Sequence, residues 1–227
     1  MARSQVVQAC LTLFALSLLS SIGMVSFLYP AIAQGDRATA ELARNIGFGA
    51  GVLAFSIAFL TMLYRHYAHL TAPVYALAGG IFMSGLALYF EARFPGIAVQ
   101  SIFLTLVVFC VMLLLYATGL IKVTRKLLTI IYVSTASIAL AYLAGFLLLL
   151  FEIRIPFLHG AGTGGVLWFS FIVVIAAMNL LVDFERINQL EGRNQPAFMP
   201  WYVGLGLMIT LVWLYISILR LLANVRR

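Results

Sequence analysis

The chain has 227 residues, of which 64% are hydrophobic and 9% charged, with a mean hydropathy of +1.09 and a formal net charge of +7. So few charges cannot cover the surface of a water-soluble domain, which excludes a soluble enzyme or binding module of ordinary composition. The basic residues sit at the ends of apolar runs, with no basic stripe carrying interleaved aromatics, which argues against nucleic acid as a partner.

A hydrocarbon core about 30 Å thick takes roughly 20 apolar residues to cross as a helix, so seven spans consume about 140 to 160 residues. That leaves only short connections, and residues 1–227 read as a single all-α membrane domain with no extramembrane catalytic module. The first predicted span is 6–29, ending at Pro30. A cleavable leader is the rival reading, because Arg3, an apolar run and Ala31-Ile32-Ala33 follow one another. The run is longer than the ~7–15 residues of a leader core, which favours a retained helix. Gly35 to Arg44 reads as a polar loop. The second span is 46–63, opened by Gly47, Gly49 and Gly51 and closed by Arg65-His66-Tyr67-Ala68-His69.

The third span is 72–89, where Gly79, Gly80, Ser84 and Gly85 offer a face for close helix approach. Glu91, Arg93 and Pro95 mark its end. The fourth span is 97–120, followed by the most basic loop, with Lys122, Arg125 and Lys126. The fifth is 127–151. A Gly-rich turn carrying His159 leads to the sixth, 166–187, which runs through Asp183-Phe184-Glu185-Arg186. The last span is 201–222, with Trp201 and Tyr202 suited to an interface.

Orientation hangs on that last segment. With seven crossings, the N-terminal side holds Arg3, Arg65, Lys122, Arg125, Lys126, Arg186 and Arg193, and the other side Arg37, Arg44, Arg93, Arg154, Arg220, Arg226 and Arg227. The count is seven against seven, so the positive-inside rule gives no winner, and only the concentrated Lys122–Lys126 loop leans toward a cytoplasmic N-terminus. A re-entrant last segment would move Arg220, Arg226 and Arg227 across and make the split ten to four.

Few residues carry chemistry. Of the seven acids, Asp36, Glu41, Glu91, Glu152, Asp183, Glu185 and Glu191, only Asp183 approaches the interior of a predicted span. Two readings stand for it. It is either a carboxylate facing the bundle interior or a wet cavity, able to act as a proton or cation switch, or a helix-end residue at headgroup level paired with arginine or water. His66 and His69 have a spacing that helical metal ligands use, but no acid or Cys lies in their segment, so interfacial snorkelling is favoured. His159 to Gly165 lacks the Lys-Ser/Thr of a phosphate loop and precedes a membrane helix. Cys10 and Cys110 are isolated in apolar runs. Asn179, Thr210 and Ser217 are polar points suited to hydrogen bonds between helices. No nucleophile elbow, zinc-protease or paired-Cys motif occurs, so no enzyme activity, metal site or cofactor is expected.

Three stretches, in order, carry a family resemblance. The first joins Val74-Tyr75-Ala76 to Phe90-Glu91-Ala92-Arg93-Phe94-Pro95-Gly96-Ile97-Ala98-Val99-Gln100, and the second is Thr118 to Lys126. The third joins Leu181-Val182-Asp183-Phe184-Glu185-Arg186-Ile187 to Leu211 through Leu222. Over roughly 46–227 the chain resembles the Bax inhibitor/YccA family of membrane proteins, and one bacterial branch of it in particular.

The resemblance implies a seven-helix bundle with the last helix central. In some members it also implies a pH-sensitive calcium leak, and in others regulation of a membrane protease or suppression of cell death. Leak-forming members use two aspartates that share a proton, with an arginine able to pair with the first. Carried over, the first aspartate falls on Asp183 and the arginine near Arg65. The second aspartate falls on Thr210, a family glutamate on Gln100, and the glutamate of a Glu-Gly pair on Gly79. Thr210 can hydrogen-bond a carboxylate but cannot share a proton as a second acid, so the two-carboxylate sensor is absent in that form.

The expectation is therefore a multi-pass protein of a bacterial inner membrane, in contact with the lipid bilayer. Its leading role would be a pH-sensitive leak for a cation, Ca²⁺ or H⁺. Asp183 would titrate against Arg65, with Thr210 and Gln100 lining or bracing the path. The alternative is a non-conducting interaction protein that modulates a membrane protease or a stress-response partner.

Overall fold

The computed structural model describes residues 2–151, 162–190 and 196–226. The expectations for Glu152, Arg154, His159, Glu191 and Arg193 lie outside the described residues. The described residues form seven long α-helices: α1 (Ala2–Ala33), α2 (Arg37–Leu63), α3 (Ala68–Glu91), α4 (Ile97–Ala117), α5 (Arg125–Leu150), α6 (Thr163–Gln189) and α7 (Met199–Val225). A 3₁₀ turn, Arg65–Tyr67, joins α2 to α3. Each of the seven is long and apolar enough to cross a membrane.

The clearest departure from the expected spans is at α2. The predicted loop Gly35–Arg44 shrinks to a tight turn, because helix begins at Arg37. Asp36 is its N-cap: one carboxylate oxygen accepts from the Ala38 amide at 2.9 Å and the other from the Thr39 hydroxyl at 2.5 Å. With the orphan amides capped, the Ala-rich stretch 38–43 propagates helix despite its charges. The Thr39 hydroxyl, helped by the Thr39 and Ala38 backbone, holds the Asp36 carboxyl below the usual carboxylate range. A depressed folded-state pKa stabilises the folded form above the unfolded value of about 3.9, and the contribution disappears as pH falls through the folded value. Hydrogen-exchange protection of the Ala38 and Thr39 amides should therefore fall on acidification below about pH 4. In Asp36→Asn, which caps without titrating, that step should vanish.

Turn chemistry shapes the other ends. The fourth span stops at Ala117 rather than Leu120, where Gly119 turns left-handed (φ +70°) and the Ile121 amide reaches back to the Leu115 carbonyl at 3.3 Å. The Thr124 hydroxyl then accepts from the Leu127 amide at 3.2 Å and caps α5.

The chain divides into two compact units, Met1–Ala98 with Glu185–Val212, and Val99–Phe184 with Trp213–Arg227. In the first, α3 packs against both α1 and α2. A Cβ built on Gly85 would meet the Ala43 carbonyl oxygen at 2.6 Å and Gly47 Cα at 2.7 Å, so α2 and α3 cross almost backbone to backbone. A Cβ on Gly80 would collide with Ser20 Oγ and the Ser17 carbonyl of α1, and the Ser21 hydroxyl donates to the Gly80 carbonyl at 2.9 Å. The expected small-residue face is thus used inside this unit, although Gly79 makes only ordinary contacts and Gly49 faces open space. Leu13 of α1, Tyr75, Ala76 and Ala78 of α3, and Leu205 and Met208 of α7 complete a buried cluster.

In the second unit, Ile138 of α5 packs with Phe169, Ile172 and Ile175 of α6, and Trp213 and Leu221 of α7 lie against them. Asn179 of α6 donates to the Thr135 hydroxyl of α5 at 2.9 Å. It is the interhelical bond expected of a polar residue in lipid, whereas Thr210 and Ser217 bond carbonyls of their own helix.

At the end of α7, Arg226 donates to Gln100 Oε1 at the start of α4, at 2.6 Å, within the second unit. Helix α7 is unbroken over its 27 residues, about 40 Å at 1.5 Å per residue. Its exit on the same side as the entry of α4 is what seven alternating crossings require, and a re-entrant last segment would place those ends on opposite sides.

Candidate functional site

Asp183 sits six residues before the end of α6, so its Cα lies about 9 Å along the axis from the last helical residue. It is 5% exposed, among the buried residues Leu180, Leu181, Val182 and Phe184. Such burial fits the interior-facing carboxylate of the two sequence readings. Aromatic rings fix the neighbouring position: Phe184 lies edge-on to Phe109 at 5.7 Å and tilted to Tyr116 at 5.8 Å, both from α4. Such packing sets the rotation of α6 and hence the direction in which Asp183 points.

The other three candidates occupy different settings. Gln100, of the same unit as Asp183, is exposed and takes the Arg226 guanidinium described above. It braces a helix end. Arg65 and Thr210 belong to the first unit. Arg65 is exposed on the 3₁₀ turn, its guanidinium 5.5 Å from the centre of the Tyr202 ring of α7. Thr210 is 8% exposed, and its hydroxyl donates to the Gly206 carbonyl one turn earlier at 3.2 Å.

The His66 ring lies tilted against Phe198 at 5.1 Å, and His69 Nδ1 lies 3.1 Å from the His66 carbonyl. Among the described residues, no group of three or more His, Cys, Asp or Glu side chains is placed to hold a metal ion.

Two arrangements escaped the sequence reading. Glu91 does more than end a span: its two carboxylate oxygens accept from the Gly96 amide at 2.6 Å and the Ala98 amide at 3.0 Å. It thereby caps α4 from the end of α3, across a turn that needs the left-handed Gly96 (φ +82°). The signal was an acid shortly before Pro-Gly and a new apolar run. The second arrangement is a charged cluster on the first turns of α2, Arg37, Glu41 and Arg44. Their i, i+4, i+7 spacing marks one helix face once the segment is known to be helical.

A family model described as Bax inhibitor 1 like matches residues 1–227, including the first 45 residues, which carried little of the resemblance. No curated protein and no solved structure matches the chain. The seven apolar helices and the full-length family match agree, and this multi-pass membrane protein belongs to the Bax inhibitor 1 like family.

Proposed function

We propose that the protein is a pH-sensitive leak for a cation, with Ca²⁺ as the leading candidate, in a bacterial inner membrane, and that Asp183 is its titrating group. One observation carries this reading: an ionisable side chain is 5% exposed inside a membrane-spanning helix. Burying a carboxylate at such depth is costly, and residues of this kind mark ion or proton pathways far more often than structural positions. Protonation removes the charge and changes what the surrounding apolar side chains and helix dipoles favour, which is the change a gate requires. Asp183 carries the proposal alone, with the neighbours of its own unit. Thr210 supplies no second acid, so a single-site titration is expected.

Purified protein in calcium-loaded liposomes tests the reading. Flux should rise as pH falls from about 8 to 5, then level off below the pKa of the gating carboxylate. Above that pKa it should decline about tenfold per pH unit, following the protonated fraction of one group. Asp183→Asn should remove the pH dependence. Flux equal to that of empty liposomes across the range would defeat the leak and favour the non-conducting interaction role.

A further inference from the structure

Near the α1–α2 and α3–α4 turns of the first unit, Arg37, Ala40, Glu41, Tyr89, Ala92 and Arg93 line a recess of about 340 Å³. Its charges are unevenly committed. Glu41 pairs with Arg44 at 2.6 Å and more loosely with Arg93 at 3.6 Å. The Tyr89 ring carries two cations, with Arg93 at 4.4 Å and Arg44 at 5.2 Å from its centre. The nearby acids are engaged elsewhere, Asp36 in capping α2 and Glu91 in capping α4. Arg37 has no polar or ionic partner among the described residues. The recess therefore holds one uncommitted guanidinium and a second only half satisfied, beside an aromatic wall. An arginine fork matches the paired oxygens of a phosphate, and its weak hydration suits a partly desolvated site.

The setting selects the source of that phosphate. Below the recess, on the same face of α2 as Arg37, Glu41 and Arg44, the helix presents Phe48 (67% exposed), Val52 (54%) and Phe55 (74%) as one apolar stripe. An acyl chain can follow that stripe from a headgroup held at Arg37. We propose that this recess is a binding site for an anionic phospholipid, its phosphate held by Arg37 and Arg93 and its acyl chain laid along α2. A zwitterionic lipid is disfavoured, because its ammonium group would share the recess with arginines.

The full chain in nanodiscs of phosphatidylcholine, with and without phosphatidylglycerol, tests the assignment by native mass spectrometry of retained lipid. Phosphatidylglycerol should be retained preferentially, and each of Arg37→Gln and Arg93→Gln should weaken retention about fivefold, the worth of one charge near an anionic surface. Arg93→Lys should recover part of the loss, and thermal unfolding in phosphatidylcholine alone should confirm that the variants are folded. Lys126→Gln, in the first turn of α5, should leave retention unchanged. Equal retention by wild type and by both arginine variants overturns the site. So does an equal loss in Lys126→Gln, which would mean general surface attraction. Displacement by inorganic phosphate would identify a free-anion site and overturn the lipid assignment.

Discussion

Gly85→Val should destabilise the protein by about 3 kcal/mol or more, enough to prevent recovery of monodisperse protein in mild detergent. The atoms a side chain would strike at position 85, the Ala43 carbonyl and Gly47 Cα and N, are all backbone. No rotamer change relieves the clash, so α2 must move away from α3. In lipid that separation is costly, because van der Waals packing and hydrogen bonds hold helices together where apolar tails compete equally for side chains. The better helix propensity of the new residue returns less than about 1 kcal/mol. Gly49→Ala is the internal control, since a Cβ there meets nothing within 4 Å. It should leave stability unchanged or raise it by up to about 1 kcal/mol. If both variants unfold at the wild-type temperature, the close crossing is not what holds this unit together.

Glu91→Ala should cost about 2 to 4 kcal/mol, because it removes two charge-assisted bonds and returns two helix N-terminal amides to an interface poor in partners. The effect should be local as well as global: hydrogen exchange at Gly96 and Ala98 should accelerate well before α4 as a whole opens. Glu91→Gln keeps one acceptor oxygen and should retain about half of the stabilisation, through neutral hydrogen bonding. The carboxylate also offsets the positive end of the α4 dipole, so the loss in the Gln variant should shrink at high salt. Unchanged exchange at these amides in the Ala variant would show that water replaces the cap without cost.

Much of this protein was legible in its sequence. The number of crossings follows from the lengths of apolar runs, because a bilayer of fixed thickness demands about 20 residues wherever a helix spans it. The family follows from three ordered stretches, and the concentration of glycine and serine in 79–85 pointed to a close crossing before any partner was known. Asp183 stood out because it alone among the acids entered an apolar segment. The start of α2 is not legible from its charges, which resemble those of a loop, whereas Asp36 and the alanines after it make a capped, charged first turn.

Only the tertiary structure decided which way each helix faces. In water an amphipathic pattern separates inside from outside, but a helix in lipid is apolar on both faces, so its sequence carries little rotational information. Packing therefore selected Gly80 and Gly85 over Gly79 and Gly49, turned Asp183 into a buried environment, and brought Glu91 back onto the amides of α4. The tertiary structure also shows the last segment running unbroken and ending with Arg226 on Gln100, as seven alternating crossings require. Apolar length determined that the chain crosses the membrane, and contacts between helices, which lie far apart in sequence, determined what those crossings present to one another.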